Sequence, residues 1–119
     1  MTNPILFIVH GSSRPEANQF MVDLVADLLP DSQFALAFLE CASPSIPEAL
    51  AHWAKAGAKE VKIIPLFLAP GNHTTRDIPK LLEEAAEKYP LTRFKLEPFL
   101  GSRPEFRELL GKLVDEVQS

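Results

Sequence analysis

Residues 5–9 of the chain read Ile-Leu-Phe-Ile-Val and lead directly into His10-Gly11-Ser12-Ser13. A short, continuous apolar run of this kind is typical of a strand that is buried on both faces of a parallel sheet. The run at 61–68 has the same character, and Pro65 within it predicts an edge, a bulge or the end of that strand. An apolar run at 33–39 and a weaker one at 93–96 complete a set of four predicted strands.

Four segments with helical spacing follow the four strands. Their predicted ranges are 15–29, 46–56, a third that starts at Thr75 or Asp77 and ends near 89, and 103–117. We expect Ser13 to cap the first helix. A strand followed by a helix, repeated four times, predicts an α/β fold with right-handed crossovers. The expected architecture is one three-layer domain over residues 1–119, with a four-stranded parallel sheet and helices on both faces.

The composition narrows the class of protein. The net charge of −4 disfavours a nucleic-acid partner, and no apolar run is long enough to cross a membrane. The start of the chain lacks a basic leader, so we expect no signal peptide and a cytoplasmic location. Cys41 is the single cysteine, which suits a reducing compartment, and we expect it to be a small buried hydrophobe.

The candidate site lies at the carboxyl edge of the predicted sheet, where open α/β sheets bind their ligands. His10, Glu40 and His73 each follow a predicted strand. Imidazole binds metals and titrates near neutral pH, so the two histidines are a candidate metal-binding or acid–base pair. Each residue also has an ordinary alternative: His10 as an imidazole satisfied by backbone carbonyls, His73 as a polar turn residue, and Glu40 as a solvated carboxylate or partial helix cap.

An anionic ligand is the second expectation at this edge. The Gly11–Ser13 segment precedes a helix, so Ser12 and Ser13 are candidates for a nest of backbone N–H groups. Arg14 and Arg76 are candidates for binding carboxylates, although solvated surface charge is the usual state of such side chains. The loop lacks the lysine of a nucleotide-binding P-loop.

Three stretches carry a resemblance to a known family: IVHGSSRPEAN (8–18), LAFLECASPSIPEAL (36–50) and IIPLFLAPGNHTTRDIP (63–79). They resemble the short form of the sirohydrochlorin chelatases, which are class II tetrapyrrole chelatases of cobalamin and siroheme synthesis. The resemblance extends from about Ile5 to the end of the chain. The third stretch is the most specific, because its pattern is long and irregular.

The resemblance implies a chelatase-like fold and insertion of a divalent metal into sirohydrochlorin or a close relative. It implies that His10 and His73 bind the metal, that Glu40 is the active-site carboxylate, and that the chain pairs as a homodimer. The metal would be a substrate, Co²⁺, Fe²⁺ or Ni²⁺, with no tightly bound cofactor. The apolar residues Phe67, Leu68 and Phe99 would either face the macrocycle or belong to the core.

Two other functions use the same residues. A carrier would bind a tetrapyrrole or a metal without turnover. A phosphoryl-transfer enzyme would use His10 as a nucleophile, because Val9-His10-Gly11 resembles the histidine phosphatases. Those enzymes place an arginine directly before the histidine, and Val9 stands there instead, which disfavours this reading.

Overall fold

The computed structural model describes residues 3–119, apart from the side chains of His73 and Thr74. Its elements alternate as the sequence predicts. The strands are β1 (Ile5–Val9), β2 (Leu36–Phe38), β3 (Glu60–Pro65) and β4 (Arg93–Leu96), and the helices are α1 (Pro15–Leu28), α2 (Ile46–Lys55), α3 (Ile78–Lys88) and α4 (Pro104–Gln118).

The four strands form one parallel sheet in the order β2-β1-β3-β4. This confirms the predicted four-stranded α/β fold. Pro65 is the last residue of β3, so its missing N–H falls at the strand's end. The strand β2 is shorter than predicted: Phe34 adopts a positive φ of 56° before it, and the pairing with β1 starts at Leu36.

Alternation along β1 gives the sheet two apolar faces. Leu6 and Ile8 are buried in a cluster with α2 and α3, whereas Val9 packs in a second cluster with Val25 of α1. Phe38 is buried in that second cluster. Helices therefore cover both faces, which confirms the three layers.

The helix ends show where local sequence directs the chain. Ser45 caps α2 in a reciprocal capping box, in which its hydroxyl accepts from the Glu48 N–H and the Glu48 carboxylate accepts from the Ser45 N–H. The expectation that Ser13 caps α1 is wrong, because α1 begins after Arg14 without a side-chain cap. Pro15 at the first helical position makes one N–H unnecessary there.

Helix α4 differs from the other three. It meets the rest of the fold principally at the short turn Leu100–Ser102, and none of its residues is buried. Along the described residues, the structure holds no helix that is long and apolar enough to cross a membrane.

Candidate functional site at the carboxyl edge of the sheet

His10 and Glu40 meet just beyond the ends of β1 and β2. The parallel pairing continues past both strands, since the Leu39 N–H donates to the Val9 carbonyl at 2.9 Å and the Glu40 N–H donates to the His10 carbonyl at 3.0 Å. This backbone contact places the two side chains together, with His10 Nε2 lying 2.5 Å from Glu40 Oε1. The structure therefore brings together two of the three residues that we expected at this edge.

The pair is open to solvent and to ligands. The side chains of His10 and Glu40 are 44% and 57% exposed. A carboxylate that accepts a hydrogen bond from an imidazole orients the ring and stabilises its protonated form. Imidazole nitrogen and carboxylate oxygen also suit divalent first-row metals. Among the described side chains, no group of three or more His, Cys, Asp or Glu is placed to hold a metal ion.

The loop after β3 carries the third residue. The Leu66 N–H donates to the Ile8 carbonyl at 2.8 Å, so β3 continues beside β1 toward the carboxyl edge. The chain then forms a single π-type turn, His73–Asp77, which leads into α3. Thr75 anchors the turn, because its N–H and its hydroxyl both donate to the Gly71 carbonyl. The side chain of His73 lies outside the described residues, so its approach to His10 stays a prediction.

The polar residues after β1 are arranged differently from our expectation. The Ser12 N–H donates to Asn18 Oδ1 at 2.9 Å, and the Arg14 N–H donates to the Ser12 hydroxyl at 3.0 Å. The Ser12 N–H is therefore satisfied within the chain, and the predicted nest of free N–H groups is wrong at Ser12. The Ser13 side chain is exposed.

The two candidate arginines lie on the surface. Arg14 Nε donates to Glu16 Oε1 at 2.7 Å, and both side chains are largely exposed. Arg76 is exposed within the turn before α3. An exposed ion pair such as Arg14–Glu16 is worth little and exchanges readily, so the guanidinium can turn to a ligand's carboxylate at small cost.

Apolar side chains border the site on the β3–β4 side. Leu68 is 63% exposed, whereas Phe67 packs against the core beneath α2 and α3. The Gly101 N–H donates to the Phe67 carbonyl at 2.9 Å, and a Cβ at Gly101 would overlap the Leu68 carbonyl. Of the three apolar candidates, Leu68 stands open at this edge, whereas Phe67 and Phe99 are partly buried.

Three further residues near the site were either not predicted from the sequence or predicted wrongly. Cys41 is exposed and has a positive φ of 69°, so the expectation of a buried cysteine is wrong. Asn18 and Gly11 hold the loop that carries His10, as described below, and neither was singled out individually. Their signals are weak in one sequence: an asparagine one turn inside a helix, where its propensity is poor, and a glycine directly after a strand.

The fold and the site together define a small parallel α/β protein with a solvent-open histidine–carboxylate pair at the carboxyl edge of its sheet. The sequence profile of the CbiX family matches residues 4–117. The chain belongs to the CbiX family.

Named relatives agree with this assignment. The chain is 32% identical over 114 residues to a sirohydrochlorin cobaltochelatase of Priestia megaterium, covering 94% of this chain and 37% of the relative. It is 35% identical over 117 residues to a chloroplastic sirohydrochlorin ferrochelatase of Arabidopsis thaliana, covering 96% and 51%. It is 35% identical over 119 residues to a sirohydrochlorin cobaltochelatase of Methanococcoides burtonii, covering 94% and 91%. The chain spans about half the length or less of the first two.

Solved structures share the fold. A putative cobalamin (vitamin B12) biosynthesis CbiX protein from Marinobacter aquaeolei VT8 superposes with a TM-score of 0.82, covering 98% of both chains at 24% identity. The sirohydrochlorin chelatase SirB from Bacillus subtilis subspecies spizizenii, solved in complex with cobalt, superposes with a TM-score of 0.80 at 25% identity. That superposition covers 98% of this chain and 51% of SirB.

Proposed function

We propose that this chain inserts a divalent metal, Co²⁺ or Fe²⁺, into sirohydrochlorin or a close relative. The observation that carries the proposal is the His10–Glu40 pair, open to solvent at the carboxyl edge of a CbiX-family sheet. The relatives named above supply the substrate class, since they are named as cobaltochelatases or a ferrochelatase of sirohydrochlorin. The metal is a substrate in this reaction, and Ni²⁺ is a third candidate for the inserted ion.

The chemistry needs a proton acceptor beside a weakly held cation. As the four macrocycle nitrogens take the metal, two pyrrole N–H protons must leave. His10 accepts a proton from one nitrogen, and the Glu40 carboxylate stabilises the imidazolium that forms. His73 is the proposed second imidazole. It binds the metal together with His10 and accepts the second pyrrole proton. A site with few protein ligands leaves coordination positions open to the incoming nitrogens.

The carboxylates on the rim of the macrocycle need cationic partners. We assign this role to Arg14 and Arg76, because both are exposed beside the two histidine loops. The hydroxyls of Ser12 and Ser13 are additional donors on the same side. Guanidinium groups bind carboxylates through paired hydrogen bonds, and the exposed Leu68 offers an apolar contact for the ring.

The test is metallation of sirohydrochlorin, followed by absorbance under multiple-turnover conditions with Co²⁺, Fe²⁺ and Ni²⁺ in parallel. A general acid–base group contributes about 10²- to 10⁴-fold, so His10→Ala and Glu40→Gln should each lower kcat by at least about 100-fold. We expect a comparable loss for His73→Ala.

The matched control is His52→Ala. His52 lies on α2 and stacks on Phe34 with ring centroids 3.9 Å apart. Phe34 precedes β2, so this contact lies at the end of the sheet opposite to the candidate site. Its removal should leave kcat within about twofold of wild type, as for a substitution remote from the site. Wild-type turnover equal to the uncatalysed rate contradicts the proposal, and tight stoichiometric binding without turnover indicates a carrier instead.

We further propose that residues 1–119 act as one domain and pair with a second copy. Two helices present apolar stripes to solvent. The stripe on α1 consists of Phe20, Leu24 and Leu28, with Val22 also exposed on that helix, and the stripe on α4 consists of Leu109, Leu110, Leu113, Val114 and Val117. Contiguous exposed apolar patches mark protein–protein contacts. A second copy would cover them by an isologous contact and provide a facing wall for a flat macrocycle.

A cytoplasmic location is also part of the proposal. It is supported by the single cysteine, which lies exposed as a free thiol. A thiol of this kind persists most readily in a reducing compartment.

A further inference from the structure

The loop from β1 to α1 carries His10, and the side chain of Asn18 holds it from the helix side. Asn18 Oδ1 accepts from the Ser12 N–H at 2.9 Å, and Asn18 Nδ2 donates to the Ser12 carbonyl at 2.8 Å. Both bonds are partly buried. One side chain therefore satisfies both backbone groups of a single loop residue, two positions from His10, and ties that residue to the first turns of α1.

Gly11 restrains the same loop from the opposite side. Its φ is +93°, a conformation that side chains with a Cβ rarely adopt. A Cβ at this position would overlap the carbonyl oxygen of Glu40. The loop thus lies in direct backbone contact with the end of β2, and the His10 carbonyl accepts from the Glu40 N–H there. His10 stands between these two restraints.

We infer that Asn18 is a positioning residue, which acts through Ser12 to hold His10 against Glu40. The inference rests on the proposed chelatase function for its kinetic readout alone. Without the amide of Asn18, the loop loses this link to α1 while its contact with β2 remains, and His10 gains freedom to move away from Glu40. A misplacement of about 1 Å can cost about 100-fold in rate.

The test compares Asn18→Ala with Gln19→Ala. Gln19 is the next residue of α1, carries the same amide group, and donates to Asp23 Oδ1 at 2.9 Å on the helix surface. Its removal costs an amide hydrogen bond on α1 but none to the loop. We expect Asn18→Ala to lower kcat by about 10- to 100-fold with KM changed by less than about threefold, and Gln19→Ala to stay within about twofold of wild type.

A second measurement does not depend on chelatase activity. In amide hydrogen exchange followed by NMR, Ser12 should lose at least about tenfold of its protection in Asn18→Ala, while Val25 inside α1 keeps its own. The imidazole ¹⁵N signal of His10 should also respond to Glu40→Gln less in the Asn18→Ala background than in wild type. If wild type shows no chelatase turnover, these two readouts still decide the role of Asn18.

Asn18→Asp is the conservative variant, because it keeps an acceptor for the Ser12 N–H and replaces the donor to the Ser12 carbonyl with a second, anionic oxygen. It should retain more activity and more Ser12 protection than Asn18→Ala. The inference is overturned if Asn18→Ala keeps kcat within about twofold, if Gln19→Ala loses as much as Asn18→Ala, or if Ser12 protection is unchanged. It is also overturned if both Asn18 variants fail to fold, since Asn18 would then support the whole domain.

Discussion

The exposed stripe on α4 gives the sharpest test of the proposed second copy, through the substitution Leu109→Glu. Leu109 is 51% exposed in the single chain. Full burial of a leucine side chain is worth about 1.5–3 kcal/mol, so covering its exposed half contributes about 1 kcal/mol. An isologous contact uses the side chain twice, and losing about 2 kcal/mol raises the dissociation constant of the dimer about thirtyfold. The buried glutamate charge would add to this loss.

Sedimentation velocity over a concentration series measures the effect directly. Leu91→Glu is the matched control, because Leu91 is 93% exposed in the connection between α3 and β4, away from both stripes. We expect wild type and Leu91→Glu to sediment as dimers at the concentration where Leu109→Glu is mostly monomeric. A wild-type monomer at every concentration, or equal behaviour of the two variants, refutes the assignment of this surface.

Further predictions concern stability and the loop after β3. Ser45→Ala should lower the free energy of unfolding by about 1 kcal/mol, the usual worth of an N-cap. The backbone N–H of Ser45, followed by its hydroxyl, holds the pKa of Glu48 below its ordinary value of 4.5. The Glu48 carboxylate therefore stabilises fully above pH 4.5 and loses this contribution as the pH falls through its lowered pKa. Thermal melts from pH 7 to 3 should show a smaller loss of stability in Glu48→Gln than in wild type. Gly101→Ala should reduce chelatase kcat, because the new Cβ would overlap the Leu68 carbonyl. A Gly101→Ala enzyme with unchanged kcat and thermal stability would contradict that contact. A Cβ at Gly111 meets open space, so Gly111→Ala should stabilise α4 by up to about 1 kcal/mol.

Local sequence was sufficient for most of the fold. Buried parallel strands are continuous apolar runs, so β1 and β3 can be predicted from the sequence without any knowledge of contacts. The boundaries of β4 match the predicted range 93–96, and α1 ends one residue earlier than predicted. The predicted length of β2 failed, because the left-handed conformation at Phe34 delays the pairing, and a positive φ at a phenylalanine has no sequence signal.

The candidate site divides in the same way. The edge of the sheet where His10 and Glu40 lie follows from strand order, since parallel strands present their carboxyl ends together. Their contact does not follow, because it depends on the register by which β2 continues past β1. The predicted free N–H group at Ser12 failed for a different reason: the competing acceptor, Asn18, lies six residues away on a helix, and only the loop conformation brings it to Ser12.

The sequence by itself determined the alternation of strands and helices, the parallel sheet and the edge that carries the two histidine loops, because periodicity and chain order encode them. Only the tertiary structure decided that Glu40 pairs with His10, that Asn18 holds the loop between β1 and α1, and that α4 has no buried residue. The two contacts join residues that are distant in sequence or lie on different elements, and α4 contributes no residue to the core. They depend on register, loop conformation and the direction in which a helix leaves the sheet, none of which a local pattern specifies.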